Sequence, residues 1–525
     1  MAKIYLGLDA STQSMSALAV DAVSGEVVYS KNVNFGADLP WYNSPSGYLK
    51  NEDPSVVHAD PMMWLDSLDM LFERMKADGF DFASVAAVSG SGQQHGSVYL
   101  NSSFFKAVEN LNSSKTLAEQ LKPSLSRATS PIWMDTSTTL ECREMAEALG
   151  GNAELSRITG SGAIERFTGS QIRKFAKQEP ENYADTARIH LVSSYLCSVL
   201  AGRDCAIDFG DGAGMNMLNL STLKWDGKIV SFLADNLAEK LPEVKASANI
   251  GGKISKYFVE KYGFNAEADI VLFTGDNPSS LVGVGAMADA TAAISLGTSD
   301  TFFASMKDLA TDPDMCGHVF GNPAGGFMSL ICFRNGSLAR EHLKADLGVD
   351  WTFFDKTSFE STKVGCGENM FIPFYGDEIA PRVNSDSPRL KGTADFESLK
   401  DKASAVRALV EGQFMNMKLR SDWMSSKPSR IRLTGGASKS DGMARVAADV
   451  FNATIERMKV GNSAALGAAL RAANASGGFS WSDLAEKFCK SDASKTVEPI
   501  AENVAVYAEK IGKFAKFIEA EYKRA

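Results

Sequence analysis

The sequence predicts an α/β protein built from two large domains, and three observations carry that expectation. At 525 residues the chain exceeds what one hydrophobic core supports, because chains beyond about 250–300 residues divide. Short apolar strand runs alternate with amphipathic helical stretches along its length. A strand, a turn rich in small polar residues and a second strand occur twice, as LGLDASTQS and as SLGTSDTFF, with Gly297 following Gly7 by 290 residues. Such recurrence suggests an internal duplication. The paired glycines of SANIGGKISKYFVEKYGF mark a change of register, so the boundary is placed at residue 255, giving domains 1–255 and 256–525.

Taken in order, Ile4-Tyr5-Leu6, Ser16 to Val20 and Glu26 to Phe35 read as a three-strand meander, with Gly25 in a turn. The stretch PMMWLDSLDMLFERMKADG starting at Pro61 has apolar residues three and four apart and a closing Gly79, which predicts an amphipathic helix. VAAVSGSGQQHGSVYL returns to strand, pauses in a Gly-Ser loop and resumes. Residues 104–130 are polar and Ser/Lys-rich and read as a surface excursion, and PIWMDTSTTLECREMAEALGG reads as a loop feeding a helix. In the second half, RIRLTGGASKSDGMARVAADVF is a strand, a Gly-rich turn and a helix, and SAALGAALRAA is a small-residue helix. Val504, Tyr507, Ile511, Phe514 and Ile518 recur at helical spacing, which predicts a packed C-terminal helix.

Composition excludes several classes of function. A net charge of -10, from 54 basic and 64 acidic residues, repels nucleic acid and anionic membranes, so a phosphate-bearing ligand has to be held by local donors. Seven cysteines without a CxxC pair, and five histidines without HExxH, predict neither a disulfide framework nor a zinc site. No run approaches the length of a membrane span and no leader pattern precedes IYLGLD. The expectation is a reduced, soluble, cytoplasmic protein.

Three Gly-rich turns, LGLDASTQS, SLGTSDT and LTGGASKSDG, combine closely spaced backbone N–H groups with hydroxyls, the equipment for holding phosphate oxygens. None matches a Walker loop or the dinucleotide GxGxxG pattern. Asp9 places a carboxylate in the first turn, which suits a water-coordinated Mg2+ beside phosphates. Gln93-Gln94-His95, Trp133-Met134-Asp135, Glu165-Arg166 and Asp276-Asn277 set amide, imidazole, guanidinium and carboxylate groups between apolar flanks, as a polyhydroxylated ligand requires. In VLFTGDNPSSL, Asp276 suits either a helix cap or a general base, and the residues alone leave that open.

These stretches, with ERFTGSQI, LVSSYL and DFGDGAGMN, resemble the FGGY carbohydrate kinase family within the actin-like ATPase superfamily, most closely its xylulose kinases of the animal type. The matches run in order from residue 4 to about residue 475. The resemblance implies two ribonuclease-H-like domains with an interdomain active-site cleft, the first binding sugar and the second nucleotide. It implies ATP-dependent phosphorylation of D-xylulose to D-xylulose 5-phosphate, with ATP and Mg2+, Asp9 facing the metal, and Asp276 as catalytic base. His95, Arg166, Asp276 and Asn277 look like the ketose-binding set. Asp9 and Thr12 look like one phosphate hairpin, and Gly297 and Thr298 part of the other. Gly435, Gly436, Ala437 and Ser440 look like the adenosine loop, with Trp351 near the nucleotide. Another ketose or polyol (ribulose, glycerol, sedoheptulose) and a non-catalytic actin-like nucleotide-binding protein stay open as alternatives, and a homodimer is one assembly compatible with the resemblance.

Overall fold

The computed structural model describes residues 3–458 and 461–522. The chain forms two compact units, the first made of Met1–Gly285, Val319–Gly326 and Gly461–Cys489, the second of Ala286–His318, Phe327–Val460 and Lys490–Ala525. The first unit therefore runs past residue 255 to Gly285 and takes back a segment from the far end of the sequence. Strand Asp269–Val271 is the physical reason for the first difference, because it extends the first sheet by pairing parallel with Ala87 and Val88.

In the first sheet, Glu26–Asn34, Ser14–Asp21 and Ile4–Ala10 form an antiparallel meander, and Val85–Gly92 and Asp269–Val271 add in parallel beyond it. Strand alternation sends Leu6, Leu8 and Ala10 to one face, where they join Met63, Leu68 and Phe72 of helix Pro61–Ala77 in the core. That helix starts where the sequence says it should, with Asp60 capping Met62 N at 2.8 Å and proline in the first position.

Gly7 alternates onto the opposite face, where helix Ser463–Gly477 lies so close that a Cβ there would sit 2.0 Å from Ala465 O. Small residues in SAALGAALRAA permit that approach. The same helix crosses helix Asp276–Gly283 at a reciprocal glycine contact, where a Cβ on Gly467 would meet Ser279 O and one on Gly283 would meet Ser463 O, each within 2.0 Å. The segment 104–130 is anchored better than its polarity suggests: helices Ser103–Glu109 and Leu117–Leu121 bury Phe104, Val108, Leu117 and Leu121.

The second sheet repeats the plan. Phe327–Phe333, Asp300–Met306 and Thr291–Leu296 form the antiparallel meander, and Arg430–Thr434 and Thr454–Arg457 add in parallel. The duplication lies in topology and not in the glycine spacing: Gly7 is mid-strand opposite Leu18, whereas Gly297 lies in the turn itself. Helix Lys402–Arg420 is buried continuously from Ala405 to Met417. Its polar members are paired there, Glu411 with Tyr507 and Arg407, and Gln413 with Arg340. All seven cysteines are free thiols, and no helix among the described residues is long and apolar enough to cross a membrane.

Candidate active site

Register brings the predicted residues of the first unit together. In the three parallel strands, Asp9 lies opposite Ser91 and Ala10 opposite Gly92, while Thr274 and Gly275 lie opposite Ser91 and Gly92 on the other side. The chains that leave these strand ends carry Thr12, Gln93-Gln94-His95 and Asp276-Asn277. The carboxyl edge of adjacent parallel strands is where open α/β sheets bind ligands.

Gly275 holds the cap position of helix Asp276–Gly283, so Asp276 is the first helical residue and not its cap. Its Oδ1 accepts from Asn277 N at 2.8 Å and from Asn277 Nδ2 at 3.1 Å. Burial pushes its carboxyl up to about 6, against the pull of the Asn277 and Gln94 backbone N–H groups. Asp9 is 7% exposed and accepts from Ser91 Oγ at 2.8 Å through Oδ1. Burial first, then the charge of Asp276, raises its carboxyl to about 7. The two acids therefore repel each other, and a cation beside them would relieve both.

Among the described residues no group of three or more His, Cys, Asp and Glu is arranged to enclose a metal. One carboxylate with a free Oδ2 fits a hard divalent ion that keeps its waters and takes further oxygens from phosphate, which is how Mg2+ is commonly bound. Thr12 Oγ1 accepts from Trp133 Nε1 at 2.8 Å, fixing an indole that is 43% exposed. Asp135, quoted beside Trp133, is structural: it is fully buried and accepts from Val57 N, Ser137 N, Ser137 Oγ and Gln171 Nε2.

His95 sits at φ +71°, an uncommon conformation for a residue other than glycine, and its surroundings hold it there. Thr168 Oγ1 donates to its carbonyl at 3.0 Å, and its ring stacks on Phe167 at 4.2 Å. Nδ1 lies 2.8 Å from the Gly214 carbonyl oxygen. A carbonyl only accepts, so Nδ1 carries the proton and Nε2 is a bare acceptor. Burial and then the Arg166 charge depress the imidazolium to about 3, so the ring is neutral. Arg166 sits with its guanidinium carbon 5.8 Å from the centroid of the same Phe167 ring. One phenylalanine thus lies against two of the four predicted sugar-binding side chains.

Several polar groups around this edge lie outside the ketose-binding set that the resemblance implies. Gln93 is fully buried and neither its oxygen nor its nitrogen has a partner, and Asp211 Oδ1 and Thr274 Oγ1 are likewise unsatisfied. Buried orphans of this kind are filled by water or ligand in working proteins. Asp211 takes Ser193 Oγ on its other oxygen, and burial, with Asp208 and Asp276 nearby, drives its carboxyl well above the usual range. Arg471, from the returning helix, donates Nη1 to Gly90 O at 3.0 Å and Nη2 to Leu272 O, pinning two of the strands that carry the site. DFGDGAGMN flags Asp211 by its acids, whereas nothing local marks Arg471.

In the second unit, strands Thr291–Leu296 and Arg430–Thr434 run parallel, so the Gly297–Thr298 turn and the Gly435–Gly436 turn emerge side by side. Gly435 has φ +85° and a Cβ there would lie 2.5 Å from Leu296 O, which is why glycine is needed. Thr298 is exposed. Gly297 O accepts from Ser337 N at 2.8 Å, and Asp300, closing the turn, is gripped by Arg340 through two 2.8 Å bonds. Ala437 lies in the short helical turn Gly436–Lys439, and Ser440 caps helix Asp441–Phe451 by accepting from Met443 N at 3.3 Å. Trp351 is exposed, packed edge-on against Phe354 with Lys344 over its ring.

Comparison with known proteins shows the family of the chain. Residues 107–283 match the model of the FGGY family of carbohydrate kinases, N-terminal domain, and residues 292–476 that of its C-terminal domain. A xylulose kinase of Rattus norvegicus is 40% identical over 480 residues, covering 89% of this chain and 87% of the rat protein. A xylulose kinase 2 of Arabidopsis thaliana is 38% identical, covering 90% and 87%. Among solved structures, ligand-bound xylulose kinase from Lactobacillus acidophilus superposes with a TM-score of 0.80 at 21% identity, covering 99% of this chain and 98% of that one. Plasmodium falciparum glycerol kinase with ADP reaches 0.79 at 19% identity, covering 100% and 99%. These matches establish that the chain belongs to the FGGY family of carbohydrate kinases.

Proposed function

We propose that this kinase transfers the γ-phosphoryl group of ATP to D-xylulose, giving D-xylulose 5-phosphate, with Asp276 as general base. The observation that carries the proposal is the convergence of Asp9, His95 and Asp276 at the ends of three adjacent parallel strands. The xylulose kinases of rat and Arabidopsis, alike over nine-tenths of the chain, support this choice of sugar.

A sugar hydroxyl is a poor nucleophile at neutral pH. In this reading its proton passes to Asp276 as its oxygen bonds to the γ-phosphorus, and the bond from that phosphorus to the bridging oxygen breaks, releasing ADP. His95, neutral and accepting at Nε2, takes a hydrogen bond from one sugar hydroxyl, Arg166 donates to others, and Asn277, whose Nδ2 hydrogens go to Asp276 and Gln94, offers its Oδ1 as an acceptor. Asp9 and Thr12 of the first unit and Gly297 and Thr298 of the second hold phosphate oxygens. Gly435, Gly436, Ala437, Ser440 and Trp351 hold the adenosine. Mg2+ at Asp9 neutralises phosphate charge when bound.

ADP release measured across ketoses and polyols tests the substrate: D-xylulose is expected to give the highest kcat/KM among ribulose, sedoheptulose and glycerol. A higher value for another sugar would reassign the substrate, and ATP hydrolysis indifferent to every sugar would favour an actin-like nucleotide-binding role.

Two further results are expected. Arg166→Ala removes donors to the sugar and leaves buried partners unsatisfied, at about 1–3 kcal/mol, so kcat/KM for the ketose falls about 5- to 150-fold. ATP affinity without sugar stays near normal, and unchanged ketose kinetics would take Arg166 out of the site. The second concerns pH. A base works only when deprotonated, and the Asp276 carboxyl sits at about 6. The logarithm of kcat/KM for the ketose is expected to fall by about one per pH unit below that value. A flat profile down to pH near 4, the ordinary carboxyl range, would contradict it.

A further inference from the structure

Asp276 is oriented through a chain of amides. A carboxylate only accepts, so Asn277 must turn Nδ2 and not Oδ1 toward Asp276, at 3.1 Å. The second hydrogen on Nδ2 then needs an acceptor, and it finds Gln94 Oε1 at 2.9 Å. This fixes the orientation of the Gln94 amide as well. Its Nε2 points away from Asn277 and toward Asp211, whose carboxyl it pulls downward.

Backbone packing leaves Gln94 little choice of position. It is 3% exposed, and a Cβ on Gly275 would lie 2.4 Å from its Cγ and 2.7 Å from its Nε2. The glycine immediately before Asp276 is thus the floor on which the Gln94 side chain rests. Asp276 Oδ1 takes both the backbone N–H and the side-chain amide of Asn277, and the Gln94 backbone N–H also pulls on the carboxyl, so Oδ1 is the more heavily occupied oxygen and Oδ2 the one with lone pairs to offer.

We propose that Gln94 is a positioning residue for this reaction: by holding the Asn277 amide, it locks Asp276 with Oδ1 occupied and Oδ2 presented to the sugar hydroxyl. The inference rests on the assignment of Asp276 as base. Gln94 itself need not touch substrate, since it acts through Asn277. Without its acceptor, Asn277 Nδ2 is free to rotate away, and the Asp276 carboxylate loses one of the two donors that Asn277 supplies.

The test uses the full chain and the near-isosteric Gln94→Met, which keeps volume and removes the amide. Misplacement of a reacting group by about 1 Å costs on the order of 100-fold, so kcat is expected to fall about 10- to 100-fold, with ketose KM and ATP affinity within about twofold of wild type. In an Asn277→Ala background the same substitution is expected to add almost nothing, because the link it serves is already gone. Full additivity in that double-mutant cycle, or a defect confined to ketose KM, would overturn the proposal. If Gln94→Met lowers the melting temperature too far to assay, Gln94→Glu, which keeps an acceptor oxygen facing Asn277, is expected to retain more kcat than Gln94→Ala, and equal losses would count against the role. Failure of the underlying assignment is separable: an active Asp276→Asn enzyme rejects the base itself, whereas an inactive one with additive Gln94 effects rejects only the positioning.

Discussion

Asp276→Asn is expected to leave the protein folded and both substrates bound while lowering kcat by about 10²–10⁴, the usual contribution of a positioned general base. The replacement is nearly isosteric, and Gly275, not Asp276, occupies the cap position, so no cap is lost. Linkage also fixes the direction of the stability change. The folded carboxyl titrates at about 6, above the ordinary value of about 3.9 in an unfolded chain. The folded state therefore binds the extra proton between those two values, and stability falls as pH rises through that window. Above about pH 6 the wild type bears the full cost of an ionised, desolvated carboxylate beside Asp9, a cost the asparagine variant escapes. At pH 8 the variant is expected to melt at or above the wild-type temperature, with the difference closing toward pH 4. Calorimetry alongside single-turnover kinetics reads both quantities. Near-normal turnover would reject the base, and a large drop in melting temperature would make the loss of activity a folding defect.

Asp300→Ala is expected to be the most damaging substitution to stability discussed here. Asp300 is fully buried and grips Arg340, itself 2% exposed, through paired 2.8 Å hydrogen bonds, and Arg340 also reaches Gln413 Oε1. Removing the acid strands a guanidinium in the interior, which costs about 3–5 kcal/mol. At roughly 2–4 °C per kcal/mol for a unit of this size, the second unit's melting transition drops visibly in a scan. The pair also closes the Gly297–Thr298 turn, so ATP turnover falls with it. Arg340→Leu in the Asp300→Ala background removes the stranded charge and is expected to recover much of the lost stability. If the single variant costs under about 1 kcal/mol, the ion pair is not what secures the turn.

Much of the fold was legible because local chemistry and tertiary structure agree. Pro61 and Asp60 start a helix by themselves, and Ala501–Glu521 shows its buried stripe through Tyr507, Phe514 and Ile518. Candidate site residues stand out in the sequence where rare polar groups interrupt apolar runs, as at His95 and Asp276. What remained hidden was set by distant partners. Asp135 looks like a ligand-binding acid in sequence, but four donors from three parts of the chain consume it. Asp300 and Arg340 are each ordinary in sequence, and only the fold makes them a pair. The accepting nitrogen of His95 depends on the Gly214 carbonyl, more than a hundred residues away. The place of SAALGAALRAA was hidden for the same reason: its small residues announce a close approach, but not to which sheet.

That helix has a consequence for biosynthesis. Strand Ile4–Ala10 leaves the ribosome more than 450 residues before the helix that covers its Gly7 face, Ser463–Gly477. All six strands of the second sheet are translated in between. The first unit therefore cannot finish folding vectorially. It waits with one sheet face bare while its neighbour is made, and contacts between such distant segments form slowly. A nascent chain arrested before residue 463 keeps that face bare, and emergence of Ser463–Gly477, not of the preceding strands, is the event that closes the first unit.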